Sequence, residues 1–179
     1  MKYIALLRGI NVGGKNKVSM PDLKNCFEEA GFQNPRTYIN SGNVIFESEQ
    51  QSTVDLANYC QKIVERKFNL PIGVAVIDVH TLKESLDHVP DWWGKDPNFK
   101  HNAIFVIQPA TAEEIVAEVG NIKPEYEKLF VYKDIIFWSA FLKAFSRTRW
   151  SRIVGTNAYQ SITIRNANTT KKLLELALQ

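Results

Sequence analysis

Apolar residues in this chain follow two rhythms. Some form short runs bounded by turn residues, as in Tyr3 to Leu7, Val44 to Phe46, Ile72 to Val79 and Ala103 to Ile107, and these predict buried strands. Others recur every three or four positions. Met20, Leu23, Cys26, Phe27 and Ala30 form one such stripe, and Leu56, Tyr59, Cys60, Ile63 and Val64 another, which predicts two amphipathic helices. The punctuation agrees. Ser19 precedes Pro21 and Asp22, and Ser52 precedes Asp55, both helix starts; Gly31 and Asn69-Leu70-Pro71 are stops. Arg36 to Ile39 supplies a strand, and Asn40-Ser41-Gly42-Asn43 a turn into the strand at Val44. The first part of the chain therefore reads β-α-β-β-α-β, the ferredoxin-like order.

The order then recurs. Thr81 with Glu84 opens a short helix with Leu82, Leu86 and Val89 inward, and Pro90 to Lys100 is a loop. After the strand at Ala103, Thr111 and Glu114 predict a capped helix carrying Ile115, Val116 and Val119. Leu129 to Tyr132 and Ile135 to Ser139 form a hairpin about Lys133-Asp134. Phe141 to Val154 reads as a helix stopped by Gly155, Ser161 to Arg165 as the last strand, and Asn168 or a neighbour as the cap of a final helix. The expected fold is α+β: two ferredoxin-like halves with mixed, mostly antiparallel sheets and an extra helix after each. Residues 1–79 make the first half and 80–179 the second.

A chain of 179 residues with 45 % hydrophobic and 23 % charged residues suits one large or two small globular domains. The N-terminal apolar run is too short for a secretory signal, and no run approaches the roughly 20 residues of a membrane span. Cys26 and Cys60 both fall on apolar helix faces, as expected of free thiols in a cytoplasmic protein. The net charge of +3 is unevenly spread. Glu113, Glu114, Glu118, Glu125 and Glu127 form an acidic stretch, and from Lys133 to Lys172 the only acid is Asp134. Such asymmetry suits either an anionic partner or two solvated faces of opposite sign.

The topology says which loops meet. In a split β-α-β unit the loop after the first strand and the turn between the next two lie at one sheet end. That groups Arg8, Gly9, Asn11, Gly13 and Gly14 with Ser41, Gly42 and Asn43 as a candidate anion-binding site. By the same logic Lys143, Arg165, Asn166 and Asn168 gather at the start of the final helix as a second, more basic site. Against both stands plain turn chemistry, since Gly and Asn tolerate positive φ and serve hairpins without any ligand.

The loop at Arg8 is neither a P-loop nor a dinucleotide fingerprint, because no Gly-Lys-Ser/Thr follows and the glycine spacing differs. His80, His88 and His101 are scattered, so no metal site is expected. Ser41 has no base visible in the sequence, and Asp22, Asp55, Glu84 and Glu114 read as caps, so no catalytic residue and no cofactor is assigned. Trp138 reads as core, whereas Trp92-Trp93 in a polar loop are open to a stacking role.

Three motifs, Arg8-Gly9-Ile10-Asn11-Val12-Gly13-Gly14, Thr37 to Phe46 and Thr163-Ile164-Arg165-Asn166 with Asn168-Thr169, occur in the order seen in the bacterial domain of unknown function 1697 family, which the chain resembles over nearly its whole length. The resemblance implies a fold and a cytoplasmic setting but no activity. Ala167 stands where the family usually has an aromatic, which removes a stacking role there. The residues point first to a binding protein for a phosphate-bearing ligand, a nucleotide or nucleic acid. Two alternatives remain: an enzyme on a small anionic metabolite, oriented by Arg8, Asn11, Asn43 and Ser41, and a protein–protein interaction module. No membrane partner is expected, and the oligomeric state stays open.

Overall fold

A computed structural model describes residues 1–179. Contacts cluster into two units, one of residues 1–82 with 173–179 and the other of residues 83–172.

In the first unit, β1 (Lys2–Leu7), α1 (Met20–Glu29), β2 (Gln33–Tyr38), β3 (Asn43–Glu47), α2 (Thr53–Phe68) and β4 (Val74–Asp78) follow the predicted order. The sheet order is β2-β3-β1-β4 and every ladder is antiparallel, with Ile4 opposite Ile45 on one side and Ile77 on the other. The expectation of mixed, mostly antiparallel sheets is corrected here, since no parallel pair occurs. β1 is buried on both faces, which is why its apolar run is unbroken. Tyr3, Ala5, Leu7, Val44, Phe46 and Val74 meet Leu23, Phe27, Leu56, Cys60 and Val64 of the two helices in one core. Ser19 and Ser52 cap those helices by accepting from the Asp22 and Asp55 amides. Cys26 and Cys60 are buried free thiols, and desolvation pushes the Cys60 thiol far above its ordinary pKa.

α3 (Val79–His88) leads on from β4. It starts two residues earlier than Thr81 because Asp78 Oδ1 accepts from the Thr81 amide at 2.8 Å. The second unit then holds β5 (Phe99–Val106), α4 (Ala112–Val119), β6 (Glu127–Tyr132), β7 (Ile135–Phe141) and β8 (Ile162–Asn166), with sheet order β6-β7-β5-β8, again fully antiparallel. Thr111 and Glu114 form the reciprocal capping box of α4. α5 (Ala167–Leu178) follows β8, and its last residues, from Leu173, cluster with the first unit rather than with 83–172. There Lys2 and Arg36 donate to the carbonyls of Ala177 and Leu176, cations placed at a helix C-terminus.

One predicted element is absent. Residues Phe141 to Val154 do not form an α-helix. Three 3-10 turns, Leu142–Arg147, Trp150–Gly155 and Asn157–Ser161, take its place, with Ala144 at a non-helical φ of −123°. The cause lies in β6. Glu127 is 1 % exposed. One of its oxygens accepts from the amides of Lys123 (2.9 Å) and Arg149 (2.6 Å), the other from the Trp150 amide (3.1 Å) and the Trp138 indole (2.9 Å). Amides drawn to a buried carboxylate are not available to a regular helical ladder. No helix is long and apolar enough to cross a membrane.

Candidate functional site

At the end of the first sheet, the chain leaving β1 forms a small hairpin. The Lys15 amide donates to Val12 O at 3.0 Å and the Asn11 amide to Asn16 O at 3.1 Å. Gly13 and Gly14 occupy its tip with φ of 57° and 75°, the pair of positive angles a type I′ turn demands. The glycines are thus required by the turn.

Asn11 ties this hairpin down. Its Nδ2 donates to Val18 O at 2.9 Å and to Asn40 O at 2.8 Å, and its Oδ1 accepts from the Val18 amide at 2.9 Å. One side chain thereby joins the first loop to the β2–β3 turn. The Leu7 amide adds a second link by donating to Gly42 O at 2.8 Å. At Gly42, with φ of 80°, a Cβ would stand 2.6 Å from Ile10 Cδ1 and 2.9 Å from Leu7 Cβ, so no larger residue fits without displacement. Asn43 is fully buried and donates to Tyr38 O and Ser41 Oγ. Ile39 in the same turn has a φ of 49°, unusual for a β-branched residue.

The two glycine- and asparagine-rich segments therefore meet, joined by the Asn11 side chain and the Leu7 amide, while Asn43 braces the turn from within. Beside them opens a cleft of about 670 Å³ lined by Asn11, Gly14, Lys17, Ser19, Asn40 and Phe68 among others. Lys17 is its cation and Asp22 its carboxyl group. Arg8 is half-buried, its amide donates to Gly73 O, and its side chain does not line the cleft. Gly9 is exposed and its carbonyl accepts from Asn16.

The second predicted cluster is built differently. Arg165 is 6 % exposed and donates to Thr163 Oγ1 and Ile164 O, and desolvation lowers its pKa to about 10. Asn166 Oδ1 accepts from the Thr169 amide at 2.8 Å, so Asn166, not Asn168, caps α5. Asn168 and Lys143 are exposed, on the helix and on the first 3-10 turn. A buried guanidinium and an exposed ammonium do not make one basic surface, and one N-terminal amide of α5 is already paired.

The family described as "Protein of unknown function (DUF1697)" matches residues 1–137. The chain belongs to this DUF1697 family. A conserved bacterial protein, SP0830 from Streptococcus pneumoniae, has a similar structure, with 29 % sequence identity, a TM-score of 0.87 and 98 % of each chain covered. No curated protein matches the chain.

Two of the three motifs that carried the resemblance lie inside the matched residues, and they are the two that Asn11 joins. In this DUF1697 protein the acidic stretch is exposed apart from Glu127, and three of its members are engaged by hydrogen bonds. Glu127 is buried, Glu114 closes a capping box, and Glu118 accepts from the Ala158 amide at 3.0 Å. Trp93 is core, its indole donating to Asn102 O at 2.9 Å, while Trp92 lines a second, smaller cavity. Sequence reading also passed over His101 and Ser139. They are 38 residues apart and face each other across neighbouring strands, a relation that only the strand register reveals.

Proposed function

We propose that this protein binds a small phosphate-bearing molecule of nucleotide size in the cleft between the residue 11–17 hairpin, the Asn40 turn and the start of α1. The observation that carries this reading is the Asn11 cross-link, which holds both loops in place before any ligand arrives. A volume of about 670 Å³ lies within the range of small-molecule sites. Lys17 supplies the charge that attracts the phosphate, and the Gly14 backbone permits close approach. A small molecule suits the chain better than nucleic acid, because burial of Arg165 interrupts the basic C-terminal stretch. One ammonium, Lys17, and one carboxyl, Asp22, are among the lining residues.

The test is a thermal-shift series with nucleotides and phosphorylated sugars. A ligand bound by the folded state alone raises Tm in a saturable way. Lys17→Ala is expected to abolish that rise while leaving the unliganded Tm unchanged. A panel with no saturable shift would reject the reading. One observation favours an interaction module instead: Val12 is 65 % and Ile39 47 % exposed, an aliphatic side chain in each of the two joined loops. If that is their use, Val12→Asp with Ile39→Asp removes self- or partner association and leaves the ligand shift untouched.

A further inference from the structure

We propose that Ser139 is a nucleophile with His101 as its general base, set in a small cavity of the second unit that accepts a short-chain acyl ester. The site is separate from the cleft above and rests on other residues.

The strand register aligns three chemistry-bearing residues. Ser139 on β7 stands opposite Lys128 on β6 and opposite His101 on β5, so the three form one row across the sheet and share a face. His101 Nδ1 lies 2.5 Å from Ser139 Oγ, and His101 Nε2 lies 2.8 Å from Asp96 O. The second contact decides the chemistry of the first. A carbonyl only accepts, so Nε2 carries the ring proton. In the neutral ring Nδ1 is then bare, and the hydroxyl of Ser139 donates to it. A partner for a buried hydroxyl could be either tautomer; the Asp96 carbonyl selects the one in which the ring is the acceptor, as a general base must be.

Ser139 is 1 % exposed yet lines a cavity of about 190 Å³ with Asp91, Trp92, Lys95, Asp96, Phe99 and Lys128, while His101 is not among the lining residues and reaches the cavity through Ser139. That space holds about six water molecules at the volume each takes in the liquid, enough for a short acyl group and not for a long one. Lys128 completes the arrangement. Its Nζ stands 5.5 Å from the centre of the Phe99 ring. Phe99 belongs to β5, so from β6 the side chain reaches across β7, the strand of Ser139. Lys95 is neutralised by Asp91 at 2.9 Å, whereas Lys128 forms no ion pair. An unneutralised ammonium over the strand of the nucleophile is placed to face a developing oxyanion.

The step follows directly. Ser139 Oγ adds to the ester carbonyl carbon as its proton passes to His101 Nδ1, and the carbonyl electron pair moves onto the oxygen facing Lys128. That pair re-forms the C=O bond and expels the alcohol, which takes the proton from His101 Nδ1 and leaves an acyl group on Ser139. Water then repeats the sequence and releases the carboxylic acid. Nε2–H stays on the Asp96 carbonyl throughout.

The experiment uses the full chain with p-nitrophenyl acetate, following nitrophenolate release and mapping the acetylated residue by mass spectrometry. A stoichiometric burst with the acetyl group on Ser139 is expected. Ser139→Ala should lose the burst. His101→Gln should slow acetylation by about 100-fold or more, and Lys128→Met by about 100-fold with the burst amplitude kept. A fluorophosphonate reagent on the unmutated protein gives a check independent of variant folding: Ser139 should be modified in the native chain and not after heat denaturation. Release equal in the unmutated and Ser139→Ala proteins, acetylation confined to lysines, or an unmodified Ser139 in the native chain would each overturn the proposal.

Discussion

The two halves share one strand order, yet each is completed by a single polar side chain used in an opposite manner. In the first, Asn11 sits partly exposed at the sheet end. It is neutral, and its three hydrogen bonds hold two loops at the rim of a cleft. In the second, Glu127 is buried in the core, and its four hydrogen bonds replace a helix with 3-10 turns. A neutral amide can both donate and accept, so it bridges loops whose free groups differ. A carboxylate only accepts, so it gathers amides and forces the backbone to turn toward it. The contrast teaches that polar residues in loop-rich stretches are first consumed by the backbone, and a ligand meets what is left over.

Glu127→Ala tests the contrast most severely. Three backbone amides and the Trp138 indole lose their acceptor, two of them in buried and two in part-buried hydrogen bonds, and a loss of about 4 kcal/mol is expected in urea unfolding, with faster hydrogen exchange at the Arg149 and Trp150 amides. A loss below about 1 kcal/mol would mean that the 3-10 segment does not depend on the carboxylate. Gly42→Ala comes next. A Cβ 2.6 Å from Ile10 Cδ1 at a φ of 80° combines a clash with backbone strain, at a cost of about 2–3 kcal/mol by the same measurement. Asn11→Ala should cost about 2 kcal/mol and remove ligand-induced stabilisation, and Asn11→Asp, which retains the acceptor for the Val18 amide, about half as much. An unchanged ligand shift in Asn11→Ala would separate the loop junction from the cleft's function.

The smallest effect concerns Glu84, a partly exposed counterpart of Glu127. It accepts from Tyr132 Oη at 2.6 Å, and that bond raises the phenol pKa above its ordinary value near 10. The folded chain then keeps this proton longer than the unfolded chain. The contribution is complete below pH 10 and is lost as pH rises through the folded-state pKa. Tyr132→Phe should flatten the alkaline fall in Tm slightly; an identical alkaline limb would show that the exposed carboxylate contributes nothing measurable.

Much of the architecture was legible because its determinants are local. Ser19, Ser52 and Thr111 cap helices whose first amides lie three residues away, and the Lys133-Asp134 turn joins strands adjacent in sequence. The helix starts expected at Thr81 and at Asn168 or a neighbour lie three and two residues later than the true caps, because Asp78 and Asn166, at the ends of their strands, reach forward to the Thr81 and Thr169 amides. The loop junction followed from topology, although Arg8 stands outside the cleft and Lys17 inside it.

What the amino-acid order determined by itself was most of the sequence of strands and helices and the caps at Ser19, Ser52 and Thr111, since spacing and nearest neighbours specify these. Which polar groups remain free was a tertiary decision. Glu127 and Arg165 look like surface charges in one dimension, and His101 and Ser139 look unrelated. Burial and strand register, both set by residues far away along the chain, turn the first two into structural groups and bring the second pair within hydrogen-bonding distance.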